Sequence, residues 1–190
     1  MLLSSTLPPL PSFELIFTHP AIDIHTNEEV ALKLSYMHDR PDMPPTGFDH
    51  EAQVYAALSG GAGAGISRLH WHGRSCEYDV LATDLLGPSL EDLFTYCERR
   101  FSFKTVLMLA DQAISRLQAI HAKGYVHRDI KPDNLLMGVG KSGNTLYAID
   151  FGLARKWDKA AALYDMNLPP VPFRGTPEFG SLNSHLGRGK

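Results

Sequence analysis

Apolar and polar positions alternate from Glu29 to Ser35, which is the period of a β-strand. Val30, Leu32 and Leu34 fall on one face of this strand, and Lys33 falls on the other. The pattern therefore predicts a strand that presents a lysine opposite to three large apolar side chains.

Further short apolar runs, bounded by turn residues, predict the other strands. They are Phe13 to Thr18, Ile66 to Trp71, Tyr78 to Thr83, Tyr125-Val126, Leu135-Leu136 and Thr145 to Ile149. Apolar residues at helical spacing predict the longest helix from Phe103 to Lys123. Ser102 is expected to cap the start of this helix, and Gly124 suits a left-handed stop after it.

Two shorter helices are expected as well. Glu51, Val54, Tyr55 and Leu58 lie one helical turn apart and predict a helix that follows the lysine strand. Ser89, with acidic residues directly after it, predicts the N-cap of a second helix.

The order of these elements is a sheet-rich region around one helix, then a mainly helical region with short paired strands. This order predicts an α+β fold. The 190 residues and 44% hydrophobic content fit one or two small domains. A formal net charge of −3 gives no reason to expect nucleic acid or an anionic membrane as partner. No apolar run reaches the length of a membrane span.

The N-terminal residues 1–12 are rich in Pro, Ser and Leu and are predicted to be disordered. They contain neither a basic region nor a small-residue cleavage site, so a signal peptide is not expected. Cys76 and Cys97 have neither metal-ligand spacing nor a disulfide-rich setting. Two reduced thiols favour a cytoplasmic or nuclear protein.

Three segments carry residue types that fit one kind of chemistry. The first follows the long helix, the second ends a predicted strand, and the third joins the strand lysine to the next helix. Their candidate residues are Lys33, Glu51, Asp129, Lys131, Asn134 and Asp150.

Phosphoryl transfer from ATP explains why these residue types belong together. The phosphates carry dense negative charge, so catalysis is mostly positioning and charge neutralisation. Lys33 would neutralise the α- and β-phosphates, and Glu51 would hold its ammonium group in place. Asp49, two residues before Glu51, leaves the choice of acidic partner open.

The remaining candidates would act on the metal and the acceptor. Asp150 and Asn134 offer the hard oxygen ligands that Mg²⁺ prefers. Asp129 would orient the substrate hydroxyl and accept its proton, and Lys131 would stabilise the charge on the transferring phosphoryl group.

His127-Arg128-Asp129, Asp150-Phe151-Gly152 and the strand lysine are residues that protein kinases share. With them, residues 29–187 resemble the protein kinases, and specifically the casein kinase I family. The sequence segments that resemble this family in particular are Leu85 to Phe94, Phe103 to Leu107, Asp111-Gln112, Asp133 to Gly138, Gly175-Thr176 and Ser181 to Asn183.

The resemblance implies a bilobal kinase fold. It implies a monomer that transfers the γ-phosphate of ATP, with Mg²⁺, to Ser or Thr hydroxyls of protein substrates. It also implies an adenine site with Thr83 at the gatekeeper position, backbone groups of Asp84 and Leu86 in the hinge, and Leu136 under the base.

The sequence departs from the family pattern in three places. Residues 1–32 contain no glycine, although a kinase folds a glycine-rich loop over the phosphates. The chain ends at Lys190, so the kinase fold is expected to be incomplete and the long helix to expose apolar surface. Glu178 stands where the family has arginine, which puts a preference for primed acidic sites in doubt.

The expected divisions are a kinase N-lobe without a glycine-rich loop over residues 13–86 and a partial C-lobe over 87–190. The departures leave two alternatives to an active kinase: a pseudokinase that serves as a binding module, and a fragment without independent function. Between Asp150 and Thr176 only Tyr164 carries a hydroxyl, so activation by Ser/Thr phosphorylation in that stretch is not expected.

Overall fold

The computed structural model of the chain describes residues 16–36, 48–59, 65–157 and 172–187. Within these ranges an antiparallel sheet of four strands comes first, and helices and short strand pairs follow it. This order confirms the α+β class. The segment predicted to be disordered and the single activation-segment tyrosine lie outside the described residues.

The regular elements are short, apart from one helix. The strands are β1 (Ile16–Ile22), β2 (Glu29–Tyr36), β3 (Leu69–Ser75), β4 (Tyr78–Asp84), β5 (Tyr125–Val126), β6 (Leu135–Met137), β7 (Leu146–Ala148) and β8 (Arg155–Lys156). The α-helices are α1 (Phe48–Leu58), α2 (Leu90–Tyr96), α3 (Phe103–Ala122) and α4 (Leu182–His185).

The sheet has the strand order β1-β2-β4-β3, and every neighbouring pair is antiparallel. In the β2–β4 register Lys33 pairs with Leu81, and Ala31 pairs with Thr83. Because side chains alternate across a sheet, these four residues share one face. The opposite face is covered by a small buried cluster of Ala21, Val30, Leu32, Leu34, Val80 and Ala82.

The larger core joins α1 to the end of α3 and to the short strands around it. It includes Phe48, Val54, Tyr55, Leu58, Leu81, Ile120, Leu135, Leu146, Ala148 and Phe151. Leu81 belongs to this core, so the lysine face of the sheet points toward it. The sheet, α1 and the loops next to β7 are therefore packed around one apolar centre.

The sequence predicted the first and third strands with wrong bounds. The expected strand Phe13 to Thr18 continues to Ile22, past Pro20, and its first three residues lie outside the described ranges. Proline is tolerated in β1 because this strand lies at the edge of the described sheet.

The expected strand Ile66 to Trp71 is displaced, because β3 runs from Leu69 to Ser75. Ile66 instead forms an isolated parallel bridge with Ala148. The second half of β3 is polar and shows no alternation of apolar and polar residues, since it forms an exposed edge of the sheet.

The helix caps agree with the sequence prediction. The Ser102 side chain accepts a hydrogen bond from the Thr105 backbone N–H, and Ser89 forms a reciprocal capping box with Asp92. Gly124 has φ +76°, as a left-handed stop requires. In the described ranges no helix is long and apolar enough to span a membrane.

Candidate active site

The strand lysine lies at the centre of an ion group. Lys33 Nζ is 2.8 Å from Glu51 Oε2 and 2.8 Å from Asp150 Oδ1. These three residues, which we term the lysine group, come from β2, α1 and the loop after β7. Glu51 is therefore the helix partner of the lysine, and the neighbouring Asp49 is exposed.

Burial and charge act against each other in this group. Burial raises the pKa of Glu51, which is only 1% exposed, although the nearby Lys33 opposes this rise. For Lys33, burial alone would lower the pKa, but attraction to Glu51 and Asp150 raises it above its usual value. The lysine therefore stays an ammonium ion.

The backbone around Asp150 turns its carboxylate toward open space. Asp150 has φ +63°, and its backbone N–H donates a 3.3 Å hydrogen bond to the Tyr55 hydroxyl. The next residue, Phe151, is fully buried with its ring centroid 4.9 Å from that of Tyr55 and 5.0 Å from that of His127. The Asp150 side chain remains 40% exposed.

A second group surrounds Asp129 in the loop after β5. Asp129 Oδ1 accepts hydrogen bonds from the Thr176 backbone N–H at 2.8 Å and from Thr176 Oγ1 at 2.9 Å. Asp129 Oδ2 accepts from Asn134 Nδ2 at 3.1 Å and lies 3.5 Å from Lys131 Nζ. We term Asp129, Lys131, Asn134 and Thr176 the loop group.

Partial burial tends to raise the pKa of Asp129. The hydrogen bonds from Thr176 and the charge of Lys131 outweigh this effect and lower the pKa below its usual value. Lys131 Nζ also donates to Thr176 Oγ1 at 2.9 Å. The carboxylate is therefore ionised and bordered by one cation and one hydroxyl.

His127 stabilises the conformation of this loop with two hydrogen bonds. Its Nε2–H donates to the Ile149 carbonyl at 2.9 Å, and its Nδ1 accepts the Asp129 backbone N–H at 3.2 Å. Burial lowers the pKa of His127, which agrees with the neutral ring that these two bonds require. Arg128, at φ +71°, donates through Nε to the Leu153 carbonyl at 2.6 Å and ties the loop to the segment after Asp150.

The two predicted metal ligands have the chemistry that Mg²⁺ requires. Asn134 commits its amide nitrogen to Asp129, which leaves its amide oxygen available as a ligand. Asp150 adds a carboxylate. Among the residues that the structure describes, no group of three or more His, Cys, Asp or Glu residues could hold a metal ion. An amide oxygen and a carboxylate are donors that fit Mg²⁺, which often takes one or two protein ligands and completes its shell with phosphate oxygens and water.

The predicted adenine-site residues lie along β4, the segment after it, and β6. Thr83 shares the sheet face of Lys33. Leu136 forms an isolated bridge with Ser89, and the N–H of Gly87, next to Leu86, donates to the Met137 carbonyl at 2.8 Å. The carboxylate of Asp84 instead contacts His70 in β3 and Arg68 just before it.

The comparison with known families agrees with this geometry. Residues 18–181 match the model of the protein kinase domain. The chain belongs to the protein kinase family. In a protein kinase domain the strand lysine must pair with the helix glutamate while the Asp of Asp-Phe-Gly is in place. The lysine group of this kinase domain forms the lysine–glutamate pair, and Asp150 lies beside it, 2.8 Å from Lys33 Nζ.

Three residues of the kinase site were absent from the sequence-based set. Thr176 contacts both Asp129 and Lys131, and Gly175 beside it has φ +104°. A Cβ at Gly175 would lie 2.7 Å from the Arg128 carbonyl oxygen. His50 donates from Nε2 to the Ala154 carbonyl at 2.7 Å and links α1 to the segment after Asp150. Of these, only the Gly-Thr pair had a signal in the sequence, as part of the family resemblance.

Proposed function

We propose that this kinase domain is a serine/threonine protein kinase of the casein kinase I type. It transfers the γ-phosphate of ATP, with Mg²⁺, to Ser or Thr hydroxyls of protein substrates. The observation that supports this most directly is the ionised Asp129 carboxylate, with Lys131 3.5 Å from one oxygen and a threonine hydroxyl 2.9 Å from the other. The subfamily is inferred from the sequence resemblance.

The two groups divide the chemistry between them. Lys33 neutralises phosphate charge, and Glu51 holds its ammonium group in place through an ion pair of 2.8 Å. Bound Mg²⁺, held by Asp150 and Asn134, would neutralise further charge on the phosphates. Asp129 accepts the proton of the acceptor hydroxyl while the acceptor oxygen bonds to the γ-phosphorus. The bond from that phosphorus to the bridging oxygen of the β-phosphate breaks, ADP leaves, and Lys131 stabilises the charge on the transferred group.

The contact between Thr176 and Asp129 shows that the loop group can bind a hydroxyl. Thr176 Oγ1 already donates to Asp129 Oδ1 while it accepts from Lys131 Nζ. A serine or threonine side chain has the same donor and acceptor properties. The loop group is therefore chemically suited to an alcohol placed between a carboxylate and an ammonium group.

A pseudokinase that binds nucleotide without transfer is the second candidate. The observation that favours it is the 2.8 Å ion pair between Lys33 and Asp150, which occupies one of the two carboxylate oxygens that would bind Mg²⁺. Transfer and binding assays on the same preparation separate the two candidates, because a pseudokinase would bind Mg·ATP with no Asp129-dependent transfer.

The test is phosphate transfer from Mg·ATP to casein by the purified full chain and by Asp129→Ala. Loss of the general base is expected to lower kcat by about a thousandfold. Asp111→Asn, which removes an exposed carboxylate on α3, is the matched control and is expected to keep full activity. Equal transfer by the wild-type chain and Asp129→Ala would contradict the proposal.

A further inference from the structure

The carboxylate of Asp84 is hydrogen-bonded to the edge strand β3 and to the residue just before it. Asp84 Oδ2 accepts the Arg68 backbone N–H at 2.7 Å, and Oδ1 accepts from His70 Nε2 at 2.8 Å. The Asp84 backbone N–H in turn donates to the Arg68 carbonyl at 3.2 Å. Both the main chain and the side chain of Asp84 are therefore fixed by β3 and the residue before it.

A second layer connects the same residues to the turn before β2. Arg68 Nη2 lies 2.8 Å from Glu28 Oε2, and His70 Nδ1 lies 3.8 Å from the same oxygen. The side chains of Arg68 and Glu28 are 59% and 49% exposed, so water and salt weaken their attraction. The His70 side chain is only 9% exposed, so its bond to Asp84 is the sheltered one.

The hinge segment, Asp84 to Leu86, borders an open groove of about 390 Å³, and Arg68 and His70 line the same groove. The hydrogen bonds of the Asp84 carboxylate restrain the start of the segment. The end of the segment is restrained separately, where the Gly87 N–H donates to the Met137 carbonyl.

We propose that His70, assisted by Arg68, is a positioning residue for the adenine base. The inference rests on the proposed function, in which backbone groups of Asp84 and Leu86 bind the base. His70 acts through the Asp84 carboxylate, which sets where those backbone groups lie. The lysine and loop groups are built from other elements, so the network controls nucleotide affinity and base choice without controlling the transfer step.

The experiment compares His70→Leu, His70→Gln and His72→Leu with the wild-type chain. His72→Leu is the matched control, because His72 lies on the same strand and is exposed. For His70→Leu we expect KM and Kd for Mg·ATP to rise about tenfold, the effect of losing one hydrogen bond to a charged group. The preference for ATP over GTP should fall as well, while kcat stays within about twofold.

His70→Gln retains an N–H donor and is expected to recover most of the ATP affinity. A His70→Leu chain that melts at a lower temperature but keeps wild-type KM and ATP preference would overturn the inference, and so would a fall in kcat at unchanged KM. Wild-type protein that binds no Mg·ATP would overturn the proposed function together with the inference. Binding by the wild type and equal binding by His70→Leu would overturn the inference alone.

Discussion

The lysine group and the loop group meet in one site but depend on different parts of the structure. The lysine group depends on charge balance, because Glu51 is 1% exposed and Lys33 is its ion-pair partner. Its residues come mainly from regular elements, a strand and a helix. The loop group depends on hydrogen bonds across two loops, in which Arg128 and Gly175 have positive φ angles.

This difference predicts two kinds of sensitivity. A change of charge in the lysine group should lower the free energy of unfolding even when the backbone is undisturbed, because a buried carboxylate without a partner destabilises the folded state. A change in the backbone conformation of the loop group should lower kcat even when every charged residue is kept, because a displacement of about one ångström is enough to slow catalysis.

The largest effect is expected for Lys33→Ala. Phosphate transfer should fall by about a thousandfold, since the phosphates lose their fixed cation. The free energy of unfolding should fall by about 3 kcal/mol, because Glu51 is left buried without its partner. Chemical denaturation and transfer assays on the same protein measure the two effects.

The double variant Lys33→Ala, Glu51→Ala separates charge balance from catalysis. It removes the unpaired carboxylate, so stability should partly return while activity stays lost. Asp49→Asn, an exposed change on the same helix, should alter neither quantity. If the double variant is no more stable than Lys33→Ala, charge balance does not govern the lysine group.

The next effect tests backbone shape in the loop group. Gly175→Ala places a methyl group at φ +104° and 2.7 Å from the Arg128 carbonyl oxygen, so the loop must shift under Asp129. We expect kcat to fall by about a hundredfold. Gly140→Ala, at φ +55° with open space around it, should cost stability but not kcat. Equal kcat losses in both variants would argue against a local effect on Asp129.

A smaller effect is expected at Thr176. Thr176→Val keeps the shape but removes the hydroxyl that bonds Asp129 and Lys131, and kcat should fall by about tenfold. Thr176→Ser retains the hydroxyl and should stay within about twofold of the wild-type chain. A serine variant as slow as the valine variant would show that the hydrogen bonds of the hydroxyl are not sufficient for normal activity, because serine keeps the hydroxyl and loses only the methyl group.

The same contrast explains how much the sequence could predict. Lys33 was predicted from its place on the strand together with the preceding Val30-Ala31, and Glu51 from its place on the helix that follows; the structure brings the two to 2.8 Å. The choice of Glu51 over Asp49 needed the structure, since the position of the helix on the sheet decides it. The α+β class and the helix caps followed from periodicity and local hydrogen bonding.

Contacts between distant loops could not be predicted in this way. Thr176 reaches Asp129 across 47 positions, and no periodic pattern relates the two. The β3 strand was misplaced because its polar edge residues, among them His70, give no apolar alternation. For the same reason the bond between His70 and Asp84 was missed, although Asp84 itself was identified as a hinge residue.

The smallest effect, a pH dependence of stability, concerns His127. Burial lowers the folded-state pKa of His127 below the ordinary value of 6.5. Its contribution to the free energy of unfolding is therefore fully present above pH 6.5. As the pH falls below 6.5, the unfolded chain takes up a proton that the folded chain resists, and this contribution to stability is lost. His127→Phe keeps a ring against Phe151 but cannot titrate, so its stability should be lower at pH 7.5 and fall less on acidification.

Urea unfolding at pH 7.5, 6.5 and 5.5 measures a slope difference of at most about 1.4 kcal/mol per pH unit. His72→Phe, an exposed change, should retain the wild-type slope. Equal slopes in the wild-type chain and His127→Phe would show that the loop group does not depend on a neutral histidine beneath it.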